Sequence, residues 1–203
     1  MLLELGVEFE VEEIITRSAG METPAFRALS ERAKIPLLEH EGLMIGESAA
    51  IVLYLADRFR DRLVLAPAPS TPPRARHDEL CWFAMTEMDA ILYTIRRHEG
   101  LPEVYGESKV AASAAREYFL RSAGELERRL AKGSRYLHGE AFTVADLLVK
   151  TCLDWSSVVC GIQLPPMLAE YSGAIASRPA YGAAMKMNFP PAAMAAISGA
   201  PKT

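Results

Sequence analysis

The first stretch with a clear period is Val7 to Ile14 (VEFEVEEI), where apolar and acidic residues alternate for most of its length. A period of two predicts a half-buried strand. Ahead of it, Met1 to Leu5 reads as the last turn of a helix, closed by Gly6 at the position where glycine takes the left-handed conformation. Thr23-Pro24 then opens a short helix to about Arg32, with Thr23 as N-cap and Pro24 at the first helical position. Ile35–Leu38 and Leu43–Ile45 predict two short strands joined by a four-residue loop, Glu39-His40-Glu41-Gly42. A helix follows from Glu47-Ser48 to about Phe59.

Leu63 to Arg74 (LVLAPAPSTPPR) carries four prolines in twelve residues, which predicts a stiff, extended linker and a domain boundary. Past it the period changes to that of helices. Leu80, Ala84, Met88, Ile91 and Ile95 form one apolar stripe, and Phe119, Ala123, Leu126 and Leu130 a second. A third helix is marked by Thr143 as cap, Asp146 returning the bond from N3, and a staple of Phe142 with Leu147. Its core stripe reads as Val144, Leu147/Leu148, Thr151, Trp155 and Val158/Val159. Two shorter helices are expected after Pro166 and Pro179, and a mobile tail from Phe189. The expected division is therefore an α/β segment over residues 1–60, a Pro-rich linker over 61–74, and an all-helical domain over 75–203.

Composition narrows the function classes. With 50% hydrophobic and 24% charged residues the chain is globular rather than disordered. A net charge of −4 gives no field that would attract nucleic acid or an anionic membrane. The longest apolar run, Ala49 to Ala56, is far short of the ~20 residues a membrane span needs. Three cysteines without a CxxC, and four scattered histidines, show no metal-ligand spacing and fit a reducing cytoplasm.

Three local patterns bear on chemistry. Pro36, in Lys34-Ile35-Pro36-Leu37-Leu38, lacks a ladder donor and is tolerated at the first residue of a strand. The alternative is a cis-proline turn that leaves the Ile35 amide and carbonyl free for an extended ligand. Glu47-Ser48 reads either as ordinary capping or as a clamp for an α-amino acid, with Glu47 facing the ammonium and Ser48 with helix N–H groups holding the carboxylate. Asp89, Tyr93 and Arg97, spaced i, i+4, i+8, read either as a solvated face with a helical ion pair or as a wall of a pocket.

The segment KIPLLEHEGLMIGESAAIVLYLAD resembles the glutathione S-transferase superfamily, in the run from its cis-proline through a strand pair to the Glu/Gln-Ser turn and third helix. Phe142-Thr143-Val144-Ala145-Asp146, preceded by Tyr136-Leu137-His138-Gly139, matches the capped central helix of the same superfamily. The resemblance is to the bacterial-type cytosolic members and covers essentially the whole chain. It implies a thioredoxin-like N-terminal domain, lacking its first strand and most of its first helix, followed by a helical C-terminal domain. It also implies a glutathione site. There Ile35, beside Pro36, would pair with the cysteinyl portion, Glu47 and Ser48 would hold the γ-glutamyl end, and Lys34 would approach the glycine carboxylate. Tyr93 and Arg97 would line the pocket for a small hydrophobic electrophile.

The same resemblance places the thiolate-activating Tyr, Ser or Cys before a helix whose end is already Leu3-Glu4-Leu5-Gly6, so no catalytic residue is assigned in this sequence. Ser18, after the second strand, is not in a position to replace it, nor are Cys81, Cys152 or Cys160. About 15 to 20 residues of strand, turn and helix would be missing. The implied activity is conjugation of glutathione to an electrophile by the intact protein, a cytoplasmic homodimer without a metal. The alternatives are a non-catalytic binding or interaction protein of the same fold, or a truncated inactive form.

Overall fold

The computed structural model describes residues 1–14 and 19–189. The expectations for Ser18 and for the tail beyond Phe189 lie outside the described residues. Helix α1 (Leu2–Leu5) ends at Gly6, whose φ of 60° is the left-handed stop read from the sequence. Val7 to Ile14, however, forms no strand. Half-buried and exposed residues alternate from Val7 to Glu10, but Val11 is already exposed. A strand exists only where a neighbour supplies N–H and C=O groups, and no described segment pairs with this one.

A 3₁₀ turn (Ala19–Glu22) leads into α2 (Pro24–Leu29), capped by the Thr23 hydroxyl accepting from the Phe26 N–H at 3.2 Å. The helix stops at Leu29, short of Arg32. The one sheet among the described residues is the antiparallel pair β1 (Leu37–His40) and β2 (Leu43–Gly46), in register from His40↔Leu43 to Leu37↔Gly46. The four-residue loop expected between them is thus a two-residue turn. Glu41 (φ 51°) and Gly42 (φ 79°) both take positive φ, the primed geometry whose twist matches the strands. That tighter turn frees Glu39 and His40 to join the ladder, and the His40 ring packs on Tyr54 and Phe59.

Helix α3 (Ser48–Arg58) buries Ala49, Ile51, Val52, Leu55 and Ala56 toward the helical part of the chain. The proline-rich stretch after it is docked. Leu65 and Ala66 are buried, and the Leu65 carbonyl accepts from the Val144 N–H at 2.8 Å. Its last residues open a helix, α4 (Pro72–Phe83), with Thr71 as N-cap and Pro72 at N1, rather than continuing an extended linker. Arg74 then staples α4 to α3, donating to both Asp57 oxygens at 2.7 and 3.0 Å and to Asp78 at 2.7 Å.

The first stripe of the helical domain is interrupted. α4 passes through a π-helical turn (Ala84–Asp89) before α5 (Ala90–Glu99). The π turn adds residues to one turn and shifts the phase. Leu80, Ala84 and Met88 are buried as the spacing predicts, but beyond the turn Leu92 is fully buried and Ile91 only half-buried. A short α6 (Pro102–Tyr105) precedes α7 (Lys109–Leu130), which packs along α5 and buries Phe119, Ala123, Leu126 and Leu130.

Helix α8 (Val144–Val158) is the centre, touching α3, α4, the π turn, α5 and then α9 (Pro166–Ala176). Asp146 at N3 is fully buried. It accepts the Thr143 N–H (2.8 Å) and hydroxyl (2.9 Å), the Leu137 N–H (2.9 Å) and the Tyr171 hydroxyl (2.7 Å). The stripe read for this helix is corrected at three places: Thr151, Val158 and Val159 are exposed, and Ala145, Val149, Cys152, Leu153 and Ser156 are buried. A helix packed on most of its circumference has no single stripe, so 3/4 spacing chose among equivalent apolar positions. Finally, α10 (Pro179–Asn188) is tied to α1 by Arg178, which donates to both Glu4 oxygens at 2.7 Å and lies over the Phe142 ring.

Candidate functional site

The ladder ends at Leu37↔Gly46, so the next residues outward, Pro36 and Glu47, leave it side by side. The Ile35–Pro36 peptide bond is cis. Just before it, the Ser30 hydroxyl accepts the Lys34 N–H (2.9 Å) and donates to the Lys34 carbonyl (3.0 Å), fixing the approach to the turn. The N–H and C=O of Ile35 take no partner among the described residues, and Ile35 is exposed. The Lys34 side chain is exposed, with no ion pair among the described residues.

Across from Ile35 stands the start of α3. Glu47 holds φ 67°, ψ 114°, a conformation that costs a residue with a Cβ on the order of 1–3 kcal/mol. Its carboxylate accepts from the Arg32 guanidinium, and both side chains are largely exposed. The first intrahelical bond is Ile51 N–H to the Glu47 carbonyl at 3.0 Å, which leaves the N–H groups of Ser48, Ala49 and Ala50 without partners among the described residues. A helix start with free N–H groups, a half-buried Ser48 hydroxyl and the positive end of the macrodipole is chemically fit for a carboxylate.

The helical domain contributes the facing side. Burial first, and then the charge of Glu47, push the Asp89 carboxyl above its ordinary value. Burial and then Asp89 push the Tyr93 hydroxyl up, with Glu47 adding to the rise while Arg97 and Arg96 oppose it. Residues more than forty positions apart therefore share one electrostatic neighbourhood across the two halves of the chain. The Tyr93 ring meets Trp155 edge-on at 4.6 Å. The Arg97 guanidinium lies 5.7 Å from the ring centres of both Tyr93 and Tyr105. Tyr93 and Arg97 are both exposed, as a solvated face would have them, but among the described residues Arg97 makes no ion pair and has aromatic rings beside it.

The positions expected from sequence thus form two groups, Lys34, Ile35, Pro36, Glu47 and Ser48 around the hairpin end, and Tyr93 with Arg97 on α5. Three neighbours were not singled out for the site. Arg32 lies in a polar stretch with no period, Trp155 was assigned to the core of α8, and Tyr105 sits on a single-turn helix whose one signal is Pro102 at N1.

The cysteines offer no nucleophile. Burial pushes the Cys81 thiol up to about 12, and burial raises Cys152 and Cys160 as well. The structure does gather His77, Asp78 and Cys81, with ligand atoms within 4.8 Å of one another, a grouping the spacing H-D-x-x-C contains. The Asp78 oxygen there is shared by His77 Nδ1 (3.1 Å) and by Arg74 Nε (2.7 Å). The Arg74 guanidinium already pairs with that carboxylate, which makes Asp78 part of the α3–α4 staple, and burial pushes His77 down.

Comparison with known proteins agrees with this layout. The family model described as glutathione S-transferase, N-terminal domain, matches residues 1–58, and that for the C-terminal domain matches residues 83–179. Glutathione S-transferase F13 of Arabidopsis thaliana is 30% identical over 153 residues, 72% of this chain and 68% of its own length. A sphingomonad glutathione S-transferase solved with glutathione is 30% identical, with a TM-score of 0.68 over 80% of this chain and 77% of its own. A glutathione transferase from Methylococcus capsulatus strain Bath is 27% identical, with a TM-score of 0.79 over 92% of this chain and 89% of its own. The hairpin unit is the thioredoxin-like domain of that fold and the helices from α4 onward its helical domain, and the chain belongs to the glutathione S-transferase superfamily.

Proposed function

We infer that the protein binds glutathione along the hairpin end and presents its sulfur to an electrophile held against α5. The observation that carries this reading is the unpartnered Ile35 backbone and the open start of α3, both just beyond the last ladder pair, Leu37↔Gly46. The cysteinyl portion would exchange backbone hydrogen bonds with Ile35 beside Pro36. The γ-glutamyl carboxylate would meet Ser48 and the free N–H groups, its ammonium would meet Glu47, and Lys34 would approach the glycine carboxylate. Tyr93 and Arg97 would line the electrophile side. A relative of the same family solved with glutathione supports the ligand's identity.

Conjugation needs the thiolate, since an unperturbed thiol ionises near pH ~8.5. The three described cysteines are raised by burial, and the Ser30 hydroxyl is committed to Lys34, so none of these groups activates it. A non-catalytic glutathione-binding member is accordingly the second reading. A homodimer joined through α3 and α4 belongs to the proposal, supported by Trp82, a large apolar side chain exposed on α4. A cytoplasmic setting does too; among the described residues no helix is long and apolar enough to cross a membrane.

Calorimetric titration of the chain with glutathione tests binding. A saturable isotherm is expected, weakened about tenfold by Glu47→Gln or Ser48→Ala, the loss of one charge-assisted hydrogen bond. No saturation at millimolar glutathione would refute the reading. Conjugation of a chlorodinitrobenzene, followed by absorbance, separates enzyme from binder: turnover above the uncatalysed rate favours the first, binding without turnover the second.

A further inference from the structure

The outer part of the α5 wall has a feature that an apolar electrophile would leave unused. Arg97 is exposed, its guanidinium lies 5.7 Å from the ring centres of both Tyr93 and Tyr105, and among the described residues no carboxylate is in ion-pair range of it. Glu103, on α6 with Tyr105, is exposed and makes no ion pair with Arg97 among the described residues. Glu99 is paired with Arg116, and Asp89 stands two helical turns back, roughly 12 Å along the axis, where the charge of Glu47 reaches it. Arg96, the adjacent cation, also has no carboxylate partner among the described residues. The wall is therefore polar along its length, acidic toward Glu47 and Asp89 and cationic at Arg97.

A guanidinium with rings beside it and no carboxylate partner keeps N–H donors for an anion, and its planar fork can meet a planar anion in bidentate fashion. Tyr93 is 45% and Tyr105 51% exposed, so ring surface is available next to that fork. We propose that the second ligand of this site is an aromatic anion, an aryl carboxylate or sulfonate, whose ring packs on Tyr93, Tyr105 and Trp155 while its anionic group meets Arg97. The acidic end repels that anion, which orients the ligand with its uncharged end toward Glu47 and Ile35. Calling this ligand a co-substrate rests on the glutathione reading above; the anion preference itself rests on Arg97 and the rings.

The test is calorimetric titration of the whole chain with a chloronitrobenzoate and, separately, with its methyl ester, which lacks the charge and adds one methyl group. The benzoate is expected to bind about tenfold more tightly than the ester, the scale of one charge-assisted hydrogen bond. That preference should shrink as ionic strength rises. Arg97→Gln should bring the two ligands to equal affinity, and Arg97→Lys should keep part of the preference without the bidentate edge. Because Arg97 is exposed, both variants are expected to keep the melting temperature of the unsubstituted protein. Equal affinities in the unsubstituted protein, a preference that survives Arg97→Gln, or no binding of either ligand would overturn the proposal. Glutathione titrated in parallel into the unsubstituted protein keeps the two readings apart. Loss of the glutathione isotherm sinks the first reading, and loss of the benzoate preference with that isotherm intact sinks this one.

Discussion

Replacing Asp146 with alanine should remove a large part of the stability of the chain. The carboxylate is fully buried and accepts four hydrogen bonds, from the Leu137 and Thr143 N–H groups and the Thr143 and Tyr171 hydroxyls. The Thr143 hydroxyl can rotate to another acceptor, but two N–H groups and the Tyr171 hydroxyl would remain, on residues that are themselves buried. Each orphaned donor costs on the order of 1–3 kcal/mol. Removing the buried carboxylate also removes its own desolvation penalty, which offsets part of the sum. The net loss is about 3–5 kcal/mol, against about 5–15 kcal/mol for a whole domain. At roughly 2–4 °C per kcal/mol for this size, the melting temperature should fall by about 6–20 °C.

Urea unfolding followed by circular dichroism, at one fixed protein concentration, measures the loss. Tyr171→Phe separates the mechanism from a general packing defect. Alone it should cost about 1 kcal/mol, but in the Asp146→Ala background it removes an orphan and should cost nothing or be stabilising. A loss below about 1 kcal/mol for Asp146→Ala, or strict additivity of the two changes, would show that the carboxylate does not hold these four donors.

Two further predictions concern the site. Asp89 is raised above its ordinary value of 3.8, so over the window above that value the folded state binds more protons than the unfolded one, and stability falls as pH rises through it. Asp89→Asn should therefore raise the urea midpoint at pH ~7 and show a shrinking gain toward pH ~4; a gain independent of pH would contradict the sign. Glu47→Gly should relieve the strained backbone, on the order of 1 kcal/mol after loss of an exposed ion pair with Arg32, while glutathione affinity drops about tenfold. Calorimetry and thermal melting should thus move in opposite directions, and a destabilised variant would remove the case that strain is retained there for ligand binding.

Much of this protein was legible in one dimension because it depends on contacts between near neighbours. The left-handed stop at Gly6, the caps at Thr23 and Thr143, and the helix starts at Pro166 and Pro179 are all local, and the structure reproduces them. The motif carried by Pro36, Glu47 and Ser48 belongs to the same class, being one hairpin and the turn that follows it. Local signals failed where a partner decides. Val7 to Ile14 has the period of a strand, but a strand needs a second chain segment beside it. The face of α8 could not be chosen from spacing, because helices on nearly every side bury more of it than one stripe. The π turn at Ala84–Asp89 moved the buried phase from Ile91 to Leu92, a change of backbone pitch that no composition announces. Most of what bears on function was tertiary. Only folding brings Glu47 into the field of Asp89 and Tyr93, and only folding sets Tyr105 and Trp155 beside Tyr93 and Arg97. Those contacts join distant segments through space, and electrostatic energy depends on that distance rather than on position along the chain.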